Sequence, residues 1–260
     1  MALTRFCPLF SGSSGNCTYV GTGAVGGAHV IGVLVDAGVS ARRIVQALRD
    51  RGIDINDISA ILVTHEHSDH IKGLLMLQKY FRLPVYATEG TCRELRRMGI
   101  RCETPPPEVA GMGVTPFATP HDARESCGFL LRCGERTVAI ATDLGHVTDT
   151  VRGALRGADL VMLESNHDVD MLTCGAYPYY LKARISSEVG HLSNAVCAGE
   201  LYRLAMSGTT RFVLGHLSRE NNRPQLALET ARAGMGGLKE NKDYILAVAT
   251  PDATWEVLRF

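Results

Sequence analysis

Apolar residues in this chain recur in two rhythms, and the alternation between them predicts the elements. Residues 30–35 form an unbroken apolar run ending in Asp36-Ala37-Gly38, as expected of a strand covered on both faces. A helix follows, with Ser40 as its N-cap, Gly52 near its close, and Ile44, Val45 and Leu48 on one face. Residues 59–63 predict a second buried strand, and 71–81 a helix with Leu74, Leu75 and Leu77 inward. A short strand at 84–87 leads into a helix capped by Thr88 and running to Met98. Gly21, Gly23, Gly26 and Gly27 separate the apolar runs 17–20 and 29–35. No helix follows them, so they predict a hairpin turn and not a phosphate cradle.

From Gly113 the texture becomes β, with strands expected at 114–118, 128–132 and 137–141. Alternation then returns. A helix at 148–156 precedes a strand at 159–163, a helix capped by Ser193 precedes a strand at 211–214, and a helix at 221–233 precedes a strand at 244–249. Mixed strands with intervening helices in both halves predict an α/β fold, two sheets face to face with helices outside. The chain reads as one domain over 1–260.

Composition changes this picture little. The 45% hydrophobic fraction supports a sizeable core and excludes disorder. Lys plus Arg equals Asp plus Glu, 27 each, so bulk charge does not draw the chain to nucleic acid, although a local basic strip still can. The eight cysteines stand singly, with no CxxC, and the expectation is reduced thiols in a cytoplasm. The first residues lack the charged start and apolar run of a secretory leader. No apolar stretch approaches the roughly 20 residues that span a bilayer, so no membrane partner is expected.

The chemistry concentrates in Thr64-His65-Glu66-His67-Ser68-Asp69-His70, between a predicted strand and a predicted helix. Four imidazole or carboxylate ligands on one turn suit Zn, Mn or Fe. The zinc-protease pattern HExxH fails here, because Asp69 stands at its second His. Further candidates follow other predicted strands: His121 in Thr119-Pro120-His121-Asp122, Asp143 in Thr142-Asp143-Leu144-Gly145, and His216 in Leu214-Gly215-His216. Ligands on loops at strand ends are how α/β enzymes build sites.

HxHxDH, a later His, an Asp after an apolar strand and a last His resemble, in that order, the metallo-β-lactamase superfamily. The HxHxDH version resembles its two-metal hydrolases. The resemblance implies a four-layer αββα sandwich and two divalent ions, Zn2+ or Mn2+. It puts His65, His67 and His121 on one ion, Asp69, His70 and His216 on the other, and Asp143 between them. Asp36 would buttress the HxHxDH loop. Ser11-Gly12-Ser13-Ser14-Gly15-Asn16, Glu164-Ser165-Asn166-His167-Asp168, Gly190-His191-Leu192-Ser193-Asn194 and the segment 215–222 further resemble the bacterial WalJ (YycJ) family, described as 5′-to-3′ DNA exonucleases.

Two close cations can activate a water for in-line displacement at phosphorus, with Asp69 among the groups that carry catalysis. His191 is left without a metal slot. With Glu164 it matches, in order, the His and Glu pair of the related tRNA 3′-processing nucleases, where it would protonate the leaving oxygen; packing at a helix start is the plainer reading. Asn166, His167, His146 and Asp122 are read as supporting the site or as ordinary loop residues. Ser14 and Asn16 either donate to a phosphate or form a structural turn. Arg42 with Arg43, Arg96 and Arg97 with Arg101, and Lys182 with Arg184 either track a nucleic-acid backbone or lie on solvated helix faces. Tyr177, Tyr179 and Tyr180 either stack on bases or, as the stronger expectation, pack in the core. The rival functions are a small-molecule phosphodiesterase, a ribonuclease, a lactam or thioester hydrolase, and a non-catalytic nucleic-acid-binding protein. The last expects missing ligands, and none is missing here.

Overall fold

The computed structural model describes residues 2–24, 30–251 and 257–260. Its first half runs β1 (Ala2–Phe10), β2 (Cys17–Ala24), β3 (Val30–Val35), α1 (Ala41–Arg49), β4 (Ile58–Leu62), α2 (Ser68–Ile71), α3 (Leu74–Phe81), β5 (Val85–Tyr86) and α4 (Glu89–Arg97). The second half opens on β6 (Glu108–Val109), β7 (Met112–Ala118), β8 (Cys127–Cys133), β9 (Arg136–Ala141), α5 (Asp149–Leu155) and β10 (Leu160–Glu164). It continues through α6 (Val169–Cys174), α7 (Tyr179–Ile185), α8 (Asn194–Met206), β11 (Arg211–Gly215), α9 (Pro224–Gly234) and β12 (Ile245–Val248), and the short β13 (Leu258–Arg259) follows.

The strands form two mixed sheets, in the orders β13-β1-β2-β3-β4-β5 and β12-β11-β10-β9-β8-β7-β6. Within the first, β3, β4 and β5 are parallel; within the second, β9 to β12 are parallel and β6 to β9 antiparallel. Strand alternation explains the unbroken apolar runs. In β9, Val138 and Ile140 face the other sheet while Ala139 and Ala141 face the helices. In β10, Leu160 and Met162 take the inner face and Val161 and Leu163 the outer. The inner layer joins Phe6, Val33 and Leu62 of one sheet to Phe129, Ile140 and Val213 of the other. Helices α1, α3 and α4 cover the first sheet, and α5, α8 and α9 the second. This is the four-layer αββα sandwich expected. Burying each large apolar side chain in these layers contributes about 1.5–3 kcal/mol.

Several local expectations are corrected. The helix expected at 71–81 is two helices, because the chain breaks at Gly73, whose N–H donates to the Ala37 carbonyl at 2.8 Å. Leu75 faces solvent at 50% exposure, since Leu74, Leu77 and Gln78 set the buried face of α3. Ser40 and Thr88 stand at N-cap positions without capping through their side chains; the Thr88 hydroxyl donates to the Glu125 carbonyl at 2.6 Å instead. Ser193 does cap α8, accepting from the Val196 N–H. The strand at 17–20 continues through the glycines to Ala24, and the turn expected beyond it, with His29, lies outside the described residues. Cys92 and Cys102 form a disulfide with Cα atoms 5.2 Å apart, which corrects the expectation of eight reduced thiols. The turn at Gly99, with φ of 80°, carries Cys102 back beside α4 within bonding range. The other six cysteines form no disulfide. Among the described residues no helix is long and apolar enough to cross a membrane.

Candidate metal centre

Strand ends at one rim of the two sheets deliver the candidate ligands. Asp36 follows β3, the HxHxDH loop follows β4, His121 follows β7, Asp143 follows β9, Glu164 ends β10 and His216 follows β11. Asp36, Asp143 and His216 have positive φ, 64°, 58° and 54°. Such backbone costs about 1–3 kcal/mol for a residue with a side chain and persists where its surroundings enforce it. Three of them on one rim mark a site, because the strand direction alone would not aim these groups together. Gly38 supplies the close approach: a Cβ there would collide with the Asp69 carbonyl, so the loop docks onto bare backbone.

The potential ligand atoms form overlapping groups: His65, His67 and His121; Asp69, His70 and His216; His65, His70 and Asp143; and Asp143, Glu164, His191 and His216. Asp143 lies between the two triads. Its Oδ2 is 3.3 Å from His70 Nε2, and its Oδ1 is 3.9 Å from His121 Nε2.

Four of the five candidate imidazoles, all but His67, are held through Nδ1 by a partner outside the two triads. His70 Nδ1 bonds Asp36 Oδ2 at 2.8 Å, and Asp36 Oδ1 accepts from the Thr64 N–H at 2.8 Å. His216 Nδ1 bonds Glu164 Oε1 at 2.7 Å. His121 Nδ1 bonds the Gly190 carbonyl at 3.2 Å, and His65 Nδ1 meets the Thr64 hydroxyl at 3.0 Å. Carboxylate or carbonyl partners behind an imidazole fix its tautomer and raise its strength as a ligand. The inward atoms are the telling ones. His65 Nε2, His216 Nε2 and Asp143 Oδ2 are buried with no hydrogen-bond partner, a state that costs about 1–3 kcal/mol per group unless a ligand meets it.

The electrostatics point the same way. Burial disfavours a cation at His216, yet Asp143, Asp69 and Glu164 outweigh it and push its pKa up to about 10. Burial likewise opposes charge on His70, and Asp36 and Asp143 raise it well above the usual imidazole range. His65 is pushed down by burial and by its neighbour His70. Burial also resists charge on Glu164, but His191 and His216 lower its pKa to about 2. The carboxylates thus outweigh burial at His70 and His216, the direction in which they would also favour a bound cation. The imidazole and carboxylate donor set suits zinc or manganese.

Beside the candidate triads, His191 Nδ1 bonds Glu164 Oε1 at 2.9 Å and stands 3.6 Å from Asp143 Oδ1. Glu164 is fully buried and joins His191, His216 and the N–H groups of Leu144 and Leu192. Asn16 braces the ligand loop: its Nδ2 lies 3.1 Å from His70 Nε2, and its N–H donates to the Asp69 carbonyl at 2.8 Å. Asn166 Nδ2 donates to the His216 carbonyl at 2.9 Å.

A cavity of about 200 Å³ opens over the cluster. Ser13 lines it; Ser14 is exposed outside it. His167 is buried away from it, on the wall of a neighbouring cavity. Asp122 holds Arg184 in a two-point pair at 2.6 and 3.0 Å, and His146 bonds the Glu188 carbonyl. Of the three basic clusters, only Lys182 with Arg184 borders these cavities; Arg96 and Arg97 pair with Glu89 and Glu94 on α4. The core-packing expectation for the tyrosines is corrected: Tyr179 and Tyr180 are 86% and 74% exposed, and Tyr177 lines the site cavity. Helices α6 and α7 are too short to bury them. Sequence reading missed Ser13, Leu181 and Ile185 on the cavity wall, and only the short helix α7 could have pointed to the last two.

A fold of two mixed sheets with a His and Asp cluster at one rim defines a class, and the chain belongs to it: residues 32–217 match the β-lactamase superfamily domain. Within it, the chain is 39% identical over 232 residues to the exodeoxyribonuclease YycJ of Bacillus anthracis, covering 86% of each protein. It is 35% identical over 234 residues to the exodeoxyribonuclease WalJ of Streptococcus pneumoniae serotype 2 (strain D39 / NCTC 7466), covering 86% of this chain and 85% of that protein. The metallo-β-lactamase fold protein YhfI of Bacillus subtilis superposes with a TM-score of 0.69 at 15% identity, over 99% of this chain and 100% of that one.

Proposed function

We propose that the chain is a metal-dependent phosphodiesterase that removes nucleotides from the 5′ end of DNA. The observation that carries this reading is His191, an imidazole held by Glu164 at 2.9 Å beside the two triads; it shares a third possible ligand group with Asp143, Glu164 and His216, and this reading gives it to the leaving oxygen instead. A leaving alkoxide needs a proton donor placed there, whereas many acyl leaving groups do not. The exodeoxyribonuclease relatives support the choice of DNA.

On this reading His65, His67 and His121 would hold one divalent ion and Asp69, His70 and His216 the other, with Asp143 beside both. Such a pair of ions supplies Lewis-acid polarisation of the phosphoryl group and lowers the pKa of a water. The rest belongs to the chain. Asp36 and Glu164 fix the tautomers of His70 and His216. Glu164 takes the Nδ1 proton of His191 in its hydrogen bond, which leaves Nε2 to carry the proton that is given up. Water oxygen bonds to phosphorus, the bond to the sugar oxygen breaks, and that oxygen leaves with the His191 proton. The water's own proton restores the imidazolium. Arg184, aligned by Asp122 on the cavity wall, binds the phosphate backbone. The compartment assigned is the cytoplasm, where the DNA lies.

The test is purified protein with zinc or manganese on DNA duplex carrying a 5′-phosphate and a 3′ label, beside end-labelled RNA and closed circular DNA. Progressive shortening of the labelled DNA strand, abolished by chelator, is expected. Cutting of the circle would make it an endonuclease, and preference for RNA would move the substrate to a ribonuclease.

A further inference from the structure

A second cavity, of about 670 Å³, lies behind the metal centre between α6, α7 and α8. Its volume suits a ligand of nucleotide size. Val169 and Leu172 come from α6, Tyr179 and Ala183 from α7, and Val196 from α8. The larger and smaller cavities share one described residue, His191.

We infer that this cavity is the subsite for the terminal nucleotide, the one released as a deoxynucleoside 5′-monophosphate. The inference rests on the exonuclease reading and deepens it. The group that protonates a leaving oxygen must touch it, so the leaving nucleoside lies on the His191 side of the phosphorus. In release from a 5′ end the bond broken is that between phosphorus and the 3′ oxygen of the first nucleotide. That oxygen takes the His191 proton, and the new phosphate stays on the shortened strand. The space on the His191 side is this cavity.

Its walls match the ligand. Val169, Leu172 and Val196 offer apolar surface for a base, and the exposed Tyr179 ring stands at its edge. His167, 3% exposed, lines the cavity, and its buried Nδ1 has no hydrogen-bond partner. Lys182, whose Nζ donates to the Thr173 carbonyl at 2.7 Å, sits on the same wall and supplies positive charge for the 5′-phosphate.

The experiment is calorimetric titration of metal-loaded protein with deoxyadenosine 5′-monophosphate and, separately, with inorganic phosphate. Phosphate alone reports attraction to the ions and to Lys182, and the nucleotide adds the apolar wall of the cavity. The expected result is binding of the nucleotide at least about tenfold tighter than phosphate. Ala183→Trp from α7 and Val196→Trp from α8, both at exposed positions, should each cut that preference to within about twofold with metal content unchanged. No preference in the wild type, or full preference in both variants, would overturn the inference. Protein that shortens DNA but shows no nucleotide preference would refute the subsite alone. Protein that binds the nucleotide as described but leaves DNA intact would refute the nuclease reading and leave the subsite standing.

Discussion

The loop 64–70 and the segment 165–193 border the same cavity but are built on opposite terms. In the loop nearly every polar atom is spoken for: Thr64 holds Asp36, Asp36 holds His70, and Asn16 ties the Asp69 carbonyl. What is left unpartnered there, such as His65 Nε2, faces the ligand cluster. The later segment is carried on short helices with exposed tyrosines and a cavity between them. Chemistry that must hold two charges a few ångströms apart calls for the first kind of construction. On the proposed function, choice of substrate falls to the second, where side chains are reachable. The comparison predicts that damage to the first region is read in bound metal, and damage to the second in substrate discrimination.

The strongest way to break that division is His216→Ala. It should lower metal content by about one ion per chain while the protein stays folded, and reduce hydrolysis by at least about 10²-fold. Unchanged metal by elemental analysis would remove His216 from the ligands.

His191→Ala probes the boundary between the regions. It should keep both ions and lose about 10²–10⁴ in rate on DNA. A nitrophenyl phosphodiester, whose leaving group departs unprotonated, should suffer much less. Equal loss on both substrates would recast His191 as a phosphate-positioning group, and loss of metal would make it a ligand.

Glu164→Gln sharpens the comparison inside the first region. Removing the charge behind His216 should weaken metal affinity by about 10–100-fold, and high metal concentration should restore much of the rate. A merely structural role would lower the melting temperature without that rescue. The smallest effect is expected from Arg184→Ala. It should weaken DNA binding several-fold and reduce the salt dependence by about one counterion, with metal content unchanged.

The same contrast explains what could be read along the chain. The ligand loop was legible because six consecutive residues carry it, and the strand ends were legible because apolar runs stop at Asp36, Asp143 and His216. β1 escaped notice because Pro8 sits at a register shift in its pairing with β2, and proline argues against a strand until that irregularity is known. The helices α6 and α7 span only six and seven residues, too few for a 3.6-residue rhythm to declare itself. The split between α2 and α3 depends on the Gly73 contact with Ala37, a long-range bond invisible to local periodicity. Ser13 rather than Ser14 lines the cavity, a difference of one position in a tight turn that sequence could not resolve. The pairing of Cys92 with Cys102 needed the turn at Gly99 to be in place.

On the proposed function, two triads meeting at Asp143 would hold two cations that together drive hydrolysis. Metal-stripped protein titrated with zinc or manganese, with bound ions counted by equilibrium dialysis and nucleotide release from 5′-phosphorylated duplex DNA followed in the same samples, tests it most directly. The prediction is saturation at two ions per chain, with release reaching its full rate only as the second ion binds. Saturation at one ion, or full release at one ion per chain, would contradict it.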